Sequence, residues 1–218
     1  MAPAFAEFLA TFVALIAIID PLGNVGVLVS ITEGDSHEKR SNQVRRGHLY
    51  AVILLMSFYL VGGPIMNFFH ITIDAVRVGG GLILLKIGFD LLSMREETRT
   101  TMQEQVADRT RADIAFFPLA MPLLAGPGAL TLVLTKAGDV SHTTGPLMTA
   151  DLAAIALAVL VSLAVLLSTK WFMRVLGVSG LAAISRIMGF ILICISVQMV
   201  IWGVQGVLLN NAAAAVQP

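Results

Sequence analysis

A carboxylic acid and a proline sit side by side in the middle of an apolar run long enough to cross a bilayer. The run extends from Phe5 to Ile31, and its centre reads Ile18-Ile19-Asp20-Pro21-Leu22-Gly23-Asn24. Pro21 lacks a backbone donor and its ring clashes with the carbonyl four residues earlier, while Gly23 permits conformations closed to other residues. The spacing therefore predicts a helix broken near its middle. In hydrocarbon every backbone polar group needs an internal partner, so irregular backbone at that depth survives only where it is buried in protein or lines a cavity. The break marks a candidate site.

Composition places that break in a membrane. The 218 residues are 57% hydrophobic and only 13% charged, with a mean hydropathy of +0.86, which lies outside the range of soluble domains. Six apolar segments, about 5–31, 48–69, 75–93, 114–136, 147–169 and 183–209, each approach or exceed the roughly 20 residues that a spanning helix needs. The prediction is an all-α integral membrane protein, one transmembrane domain over 1–218, with six transmembrane helices in the lipid bilayer. The first run has no basic segment before it and is too long for a signal peptide, so it is expected to remain as a span. Cys194 is the single cysteine; it excludes an intramolecular disulfide and, inside an apolar run, is expected to be buried.

Net charge is +0, but the charges cluster in Glu33 to Arg46 and Arg95 to Asp113. The lysines and arginines of Lys39 to Arg46, of Arg95 to Arg111, and Lys170 with Arg174 fall in the first, third and fifth connections, against Arg77 and Lys136 on the other side. The positive-inside rule puts those three connections in the cytoplasm and both termini outside. Nothing in this balance points to a nucleic-acid partner, and none is expected.

The fourth segment repeats the theme of the first. It reads Phe116-Phe117-Pro118-Leu119-Ala120-Met121-Pro122-Leu123-Leu124-Ala125-Gly126-Pro127-Gly128-Ala129-Leu130-Thr131, and Pro127 lies 106 positions after Pro21. Arg186-Ile187-Met188-Gly189 lies 109 positions after Arg77-Val78-Gly79-Gly80. The similar offsets predict a duplicated three-helix unit. Repeat one covers about 1–94, a polar cytoplasmic connection about 95–113, and repeat two about 114–209. Three spans is an odd number, so the second copy enters the membrane inverted, giving a 3+3 inverted repeat with helices 1 and 4 broken near mid-membrane.

Paired breaks present half-helix N-termini to an anion and half-helix C-termini to a cation, which together suit a zwitterion. The candidate contacts are Asp20, Gly23 and Asn24 in the first break and Gly126, Gly128 and Thr131 in the second. Two roles suit Asp20: a proton site or ligand for a substrate ammonium, since an acid at this depth is costly, and a cap on the half-helix after Pro21. Lys86 and Asp90 stand four residues apart on one face of the third span, spaced to pair, either structurally or in ion coupling. Ser196 and Gln198 are expected to make interhelical hydrogen bonds, and the Ala150, Ala154, Ala158, Ser162 stripe to pack. The histidines His37, His48, His70 and His142 have no metal-ligand spacing. A nucleophile elbow, a P-loop and a dinucleotide fingerprint are absent, so neither catalysis, a cofactor nor a metal is expected.

At these residues the chain resembles the MarC family of bacterial inner-membrane proteins, which includes small neutral amino-acid transporters. The matching features are Ile19 to Asn24, Pro118 to Gly128, and Arg186 with Gly189, and the resemblance covers essentially the whole chain. It implies a six-helix inverted repeat in the bacterial inner membrane and a substrate pocket between the breaks. It assigns substrate contact to Asp20, Pro21, Gly23, Asn24, Gly126, Pro127, Gly128 and Thr131. Val25-Gly26-Val27 departs from the pattern, which has a proline near position 26. The expected function is a secondary transporter that exports a small neutral amino acid or related metabolite on a proton or sodium gradient. The alternatives are a membrane scaffold or stress-response partner docking through Arg95 to Arg111, and a channel.

Overall fold

The break at Asp20 divides the first apolar run into α1 (Pro3–Ile19) and α2 (Pro21–Ile31). The computed structural model describes residues 3–32, 34–93, 114–138 and 145–216. Among these, every regular element is a helix: α3 (His37–Phe68), α4 (Ile73–Ser93), α5 (Ala115–Leu124), α6 (Pro127–Gly138), α7 (Pro146–Leu167) and α8 (Thr169–Val216) follow the first two. The connection 94–113, which carries the docking surface of the scaffold alternative, lies outside the described residues.

Among the described residues, four units are long and apolar enough to span a membrane: Pro3–Ile31 taken through its break, His37–Phe68, Pro146–Leu167 and Thr169–Leu208. The pair Ala115–Leu124 and Pro127–Gly138, bent by 61°, makes a fifth. At 21 residues α4 has the length, but it carries Asp74, Arg77, Lys86 and Asp90. Apolarity alone therefore marks four or five spans, where the segment count expected six.

Helices outrun the apolar segments at two places. α3 starts at His37, well before hydrocarbon-compatible sequence begins, because Ser36 caps it by accepting from the Lys39 N–H at 3.2 Å. α8 starts at Thr169 and absorbs Lys170 and Arg174; it bends at Gly177, whose φ of 61° favours glycine.

α5 is wound in wider turns. The Leu119 N–H donates to the Ile114 carbonyl at 3.2 Å and the Ala125 N–H to the Ala120 carbonyl at 2.8 Å, each five residues back. Phe117 and Met121 are extended inside it, as residues preceding proline prefer to be.

The core joins both halves of the chain, with Leu15, Ile19, Leu28, Leu55, Leu119, Leu124, Ile155 and Leu166 fully buried. α1 packs on α7, α3 on α5, α6 and α7, α2 on α7 and α8, and α4 on α6 and α8. The α4–α8 seam is close because glycines line it. A Cβ on Gly81 would sit 2.9 Å from the Ser196 carbonyl, and one on Gly189 would sit 2.9 Å from the Gly88 carbonyl. Without water to drive association, such backbone approach and its dispersion contacts hold spanning helices together. The Ala150, Ala154, Ala158, Ser162 stripe is buried on α7 as packing requires.

Two expectations for α8 are corrected. Cys194 is exposed, since in a helix apolar on all faces an apolar neighbourhood does not distinguish core from periphery. Ser196 donates to the Leu192 carbonyl of its own helix at 2.6 Å, rather than across to another, and Gln198 is exposed.

Candidate functional site

At the first break, backbone groups that a straight helix would pair are handed to side chains. Pro21 opens α2 at its first position, where a missing N–H costs nothing. Asp20 takes left-handed angles, φ 42° and ψ 65°, a region that Asp tolerates better than most residues. The Gly23 N–H, which would have reached the Ile19 carbonyl, donates instead to Asp20 Oδ1 at 3.1 Å. The freed Ile19 carbonyl accepts from Asn24 Nδ2 at 2.7 Å. Asp20 is buried, at 4% exposure, and its capping role is visible. Pro21 and Gly23 are buried, and Asn24 is partly so.

At the second break, Ala125 and Gly126 separate α5 from α6. The Pro122 carbonyl folds onto Gly126 so closely that a Cβ there has no room. Gly128 is buried, Gly126 and Thr131 are partly buried, and Pro127 is exposed.

The two breaks meet. A Cβ on Gly128 would lie 3.3 Å from Ile18 Cγ2, two residues before Asp20, and 2.8 and 3.0 Å from Leu84 and Ile87 of α4. Thr131 presses its methyl onto Gly80 of α4. Residues from α1, α4 and α6 thus enclose the meeting point. Lys86 and Asp90 do not join it: both are exposed on α4 and, among the described residues, they do not pair with each other.

Sequence reasoning missed a buried polar cluster away from the breaks. Asp151 of α7 is fully buried and accepts from Thr11 of α1 at 2.6 Å and from Tyr59 of α3 at 3.1 Å. Lys136 of α6 pairs with Glu7 of α1, and Thr11 also reaches Glu7 at 3.4 Å. Elsewhere on the α3–α7 seam, His48 Nε2 and Ser162 Oγ lie 3.1 Å apart, and His48 Nδ1 lies 2.7 Å from the Val44 carbonyl. Ser185 of α8 was missed as well; it is buried beside Gly23. The available signal was an acid among alanines at Asp151 and a lone hydroxyl at Ser185, and neither is specific.

These features define an all-helical integral membrane protein whose interior is organised by two helix breaks. The family model of the MarC family integral membrane protein matches residues 5–208, and the chain belongs to that family. It is 34% identical over 206 residues to a UPF0056 membrane protein of Methanocaldococcus jannaschii, covering 93% of this chain and 98% of that protein. It is 36% identical over 202 residues to the UPF0056 inner membrane protein MarC of Salmonella typhimurium, covering 88% of this chain and 91% of that protein. The corresponding protein of Citrobacter koseri is 35% identical over 201 residues, with the same coverage. No solved structure matches the chain.

Proposed function

We propose that the chain is a secondary transporter, exporting a small neutral amino acid or related small metabolite on a proton or sodium gradient. The observation that carries this reading is the convergence of the breaks, with Gly128 of the second against Ile18 of the first. Half-helix ends that meet inside a bundle offer both signs of partial charge to one small zwitterion. Asp20, Pro21, Gly23 and Asn24 contact the substrate from one side and Gly126, Pro127, Gly128 and Thr131 from the other.

The packing pattern supports six spans in a 3+3 inverted repeat, with α4 as the third. Exchanging the first three spans with the last three turns α1 on α7 into α5 on α3, α3 on α6 into α7 on α2, and α2 on α8 into α6 on α4; all six pairings occur. The same exchange turns the approach of Gly81 to Ser196 into that of Gly189 to Gly88. Gly189 lies 108 positions after Gly81, close to the offset between the prolines. Rocking of one repeat on the other opens the site to alternate sides. Basic connections put the first, third and fifth links in the cytoplasm and both termini outside. The inner-membrane names of the enterobacterial relatives favour that membrane.

Flux of radiolabelled alanine into proteoliposomes, with an imposed pH or sodium gradient, tests the proposal. Wild-type protein is expected to give gradient-driven flux, and Asp20→Asn or Gly128→Leu to abolish it while the protein still folds. Unchanged flux in both variants removes the site from the breaks.

A further inference from the structure

The Ser185 hydroxyl is fully buried and has no hydrogen-bond partner. Stranding a hydroxyl costs free energy, so a buried one without a partner calls for an explanation. Its surroundings supply one. A Cβ built on Gly23 would lie 2.5 Å from Ser185 Oγ and closer still to Asp20 Oδ2. Two oxygens from different helices therefore converge on one point at the N-terminus of α2. They do not bond to each other, because Ser185 Oγ bonds to nothing. Glycine at position 23 leaves room for both oxygens there.

We infer that Asp20, Gly23 and Ser185 form a subsite for a small monovalent cationic group, either an alkali ion or the ammonium of an amino acid. The inference rests on the transporter reading and adds to it the charge of the group that meets the first break. Three observations favour a cation. Asp20 places its carboxyl at the positive end of α2, where in its ionised form it would repel an arriving anion. A carboxylate and a hydroxyl are hard oxygen ligands, and both accept from an ammonium. The second break has Gly126 in the position matching Asp20, so the acid is confined to the first.

Thermal melts of the purified full chain test the subsite, with sodium chloride, ethylamine hydrochloride and choline propionate each titrated against choline chloride at constant ionic strength. Sodium or ethylamine is expected to raise the melting temperature saturably, and propionate is not. Sodium acting without ethylamine identifies an alkali-ion site, and ethylamine that acts alone or competes with sodium identifies an ammonium site. Ser185→Ala, and Ser185→Cys beside it, should raise the half-saturating concentration about tenfold. Neither should melt lower than wild type without additive, since the hydroxyl removed has no partner. Equal half-saturation in wild type and both variants, stabilisation by propionate alone, or no saturable effect of either cation overturns the subsite. Alanine flux on the same preparations separates the two claims. Flux without any Ser185-dependent cation effect removes the subsite and leaves the transporter; a Ser185-dependent cation effect without flux does the reverse.

Discussion

The Asn24 side-chain amide reaches back across the first break and donates to the Ile19 carbonyl at 2.7 Å. In an unbroken helix that carbonyl would accept from Gly23, whose N–H is held by Asp20 instead. Asn24 thus holds the break in shape whether or not it also touches a substrate. Asn24→Leu keeps the size but strands the carbonyl, and Asn24→Asp keeps the shape but loses the donor when ionised. Each is predicted to cost about 2 kcal/mol, the usual penalty for leaving a buried acceptor unpaired. Denaturation in detergent measures it; an Asn24→Leu variant as stable as wild type contradicts the role.

Asp151 links α7 to α1 through Thr11 and to α3 through Tyr59. Asp151→Ala removes the acceptor of two hydroxyls at once, whereas Tyr59→Phe removes a single donor. Asp151→Ala is predicted to cost about 3 kcal/mol and Tyr59→Phe about 1 kcal/mol. Once Asp151 is gone, the Tyr59 hydroxyl has no bond there to lose, so the double variant should be less destabilised than the two single losses imply, by about 1 kcal/mol. Strict additivity in a double-mutant cycle would show that the 3.1 Å contact carries no energy.

The breaks are legible in the sequence because their cause is covalent and local. Pro21 has no N–H wherever it sits, and the residues before Pro118 and Pro122 are pushed to extended angles by the ring itself. Asp151 and Ser185 are different in kind. The partners of Asp151 lie 140 and 92 residues away in the chain, and Ser185 acquires its meaning only once α8 packs against α2. Hydropathy also marks where hydrocarbon can begin, not where a helix begins, so α3 and α8 start well ahead of the apolar segments 48–69 and 183–209. Exposure misleads for a related reason: in a bilayer an apolar side chain faces lipid as readily as core, and Cys194 is found outside.

Gly80 and Thr131 offer a compensation test for the contact between α4 and α6. A Cβ on Gly80 would overlap Thr131 Cγ2, with Thr131 Cβ at 3.2 Å. Gly80→Ala should therefore overpack the seam and cost about 1–3 kcal/mol. Thr131→Ser deletes the obstructing methyl and keeps the hydroxyl, so adding it to Gly80→Ala should recover most of the lost stability. The Thr135 hydroxyl donates to the Thr131 carbonyl at 2.9 Å, a backbone contact that the serine leaves in place. Melting temperatures of the two single variants and the double variant decide the matter. If Thr131→Ser fails to rescue Gly80→Ala, the two residues do not share the space assigned to them.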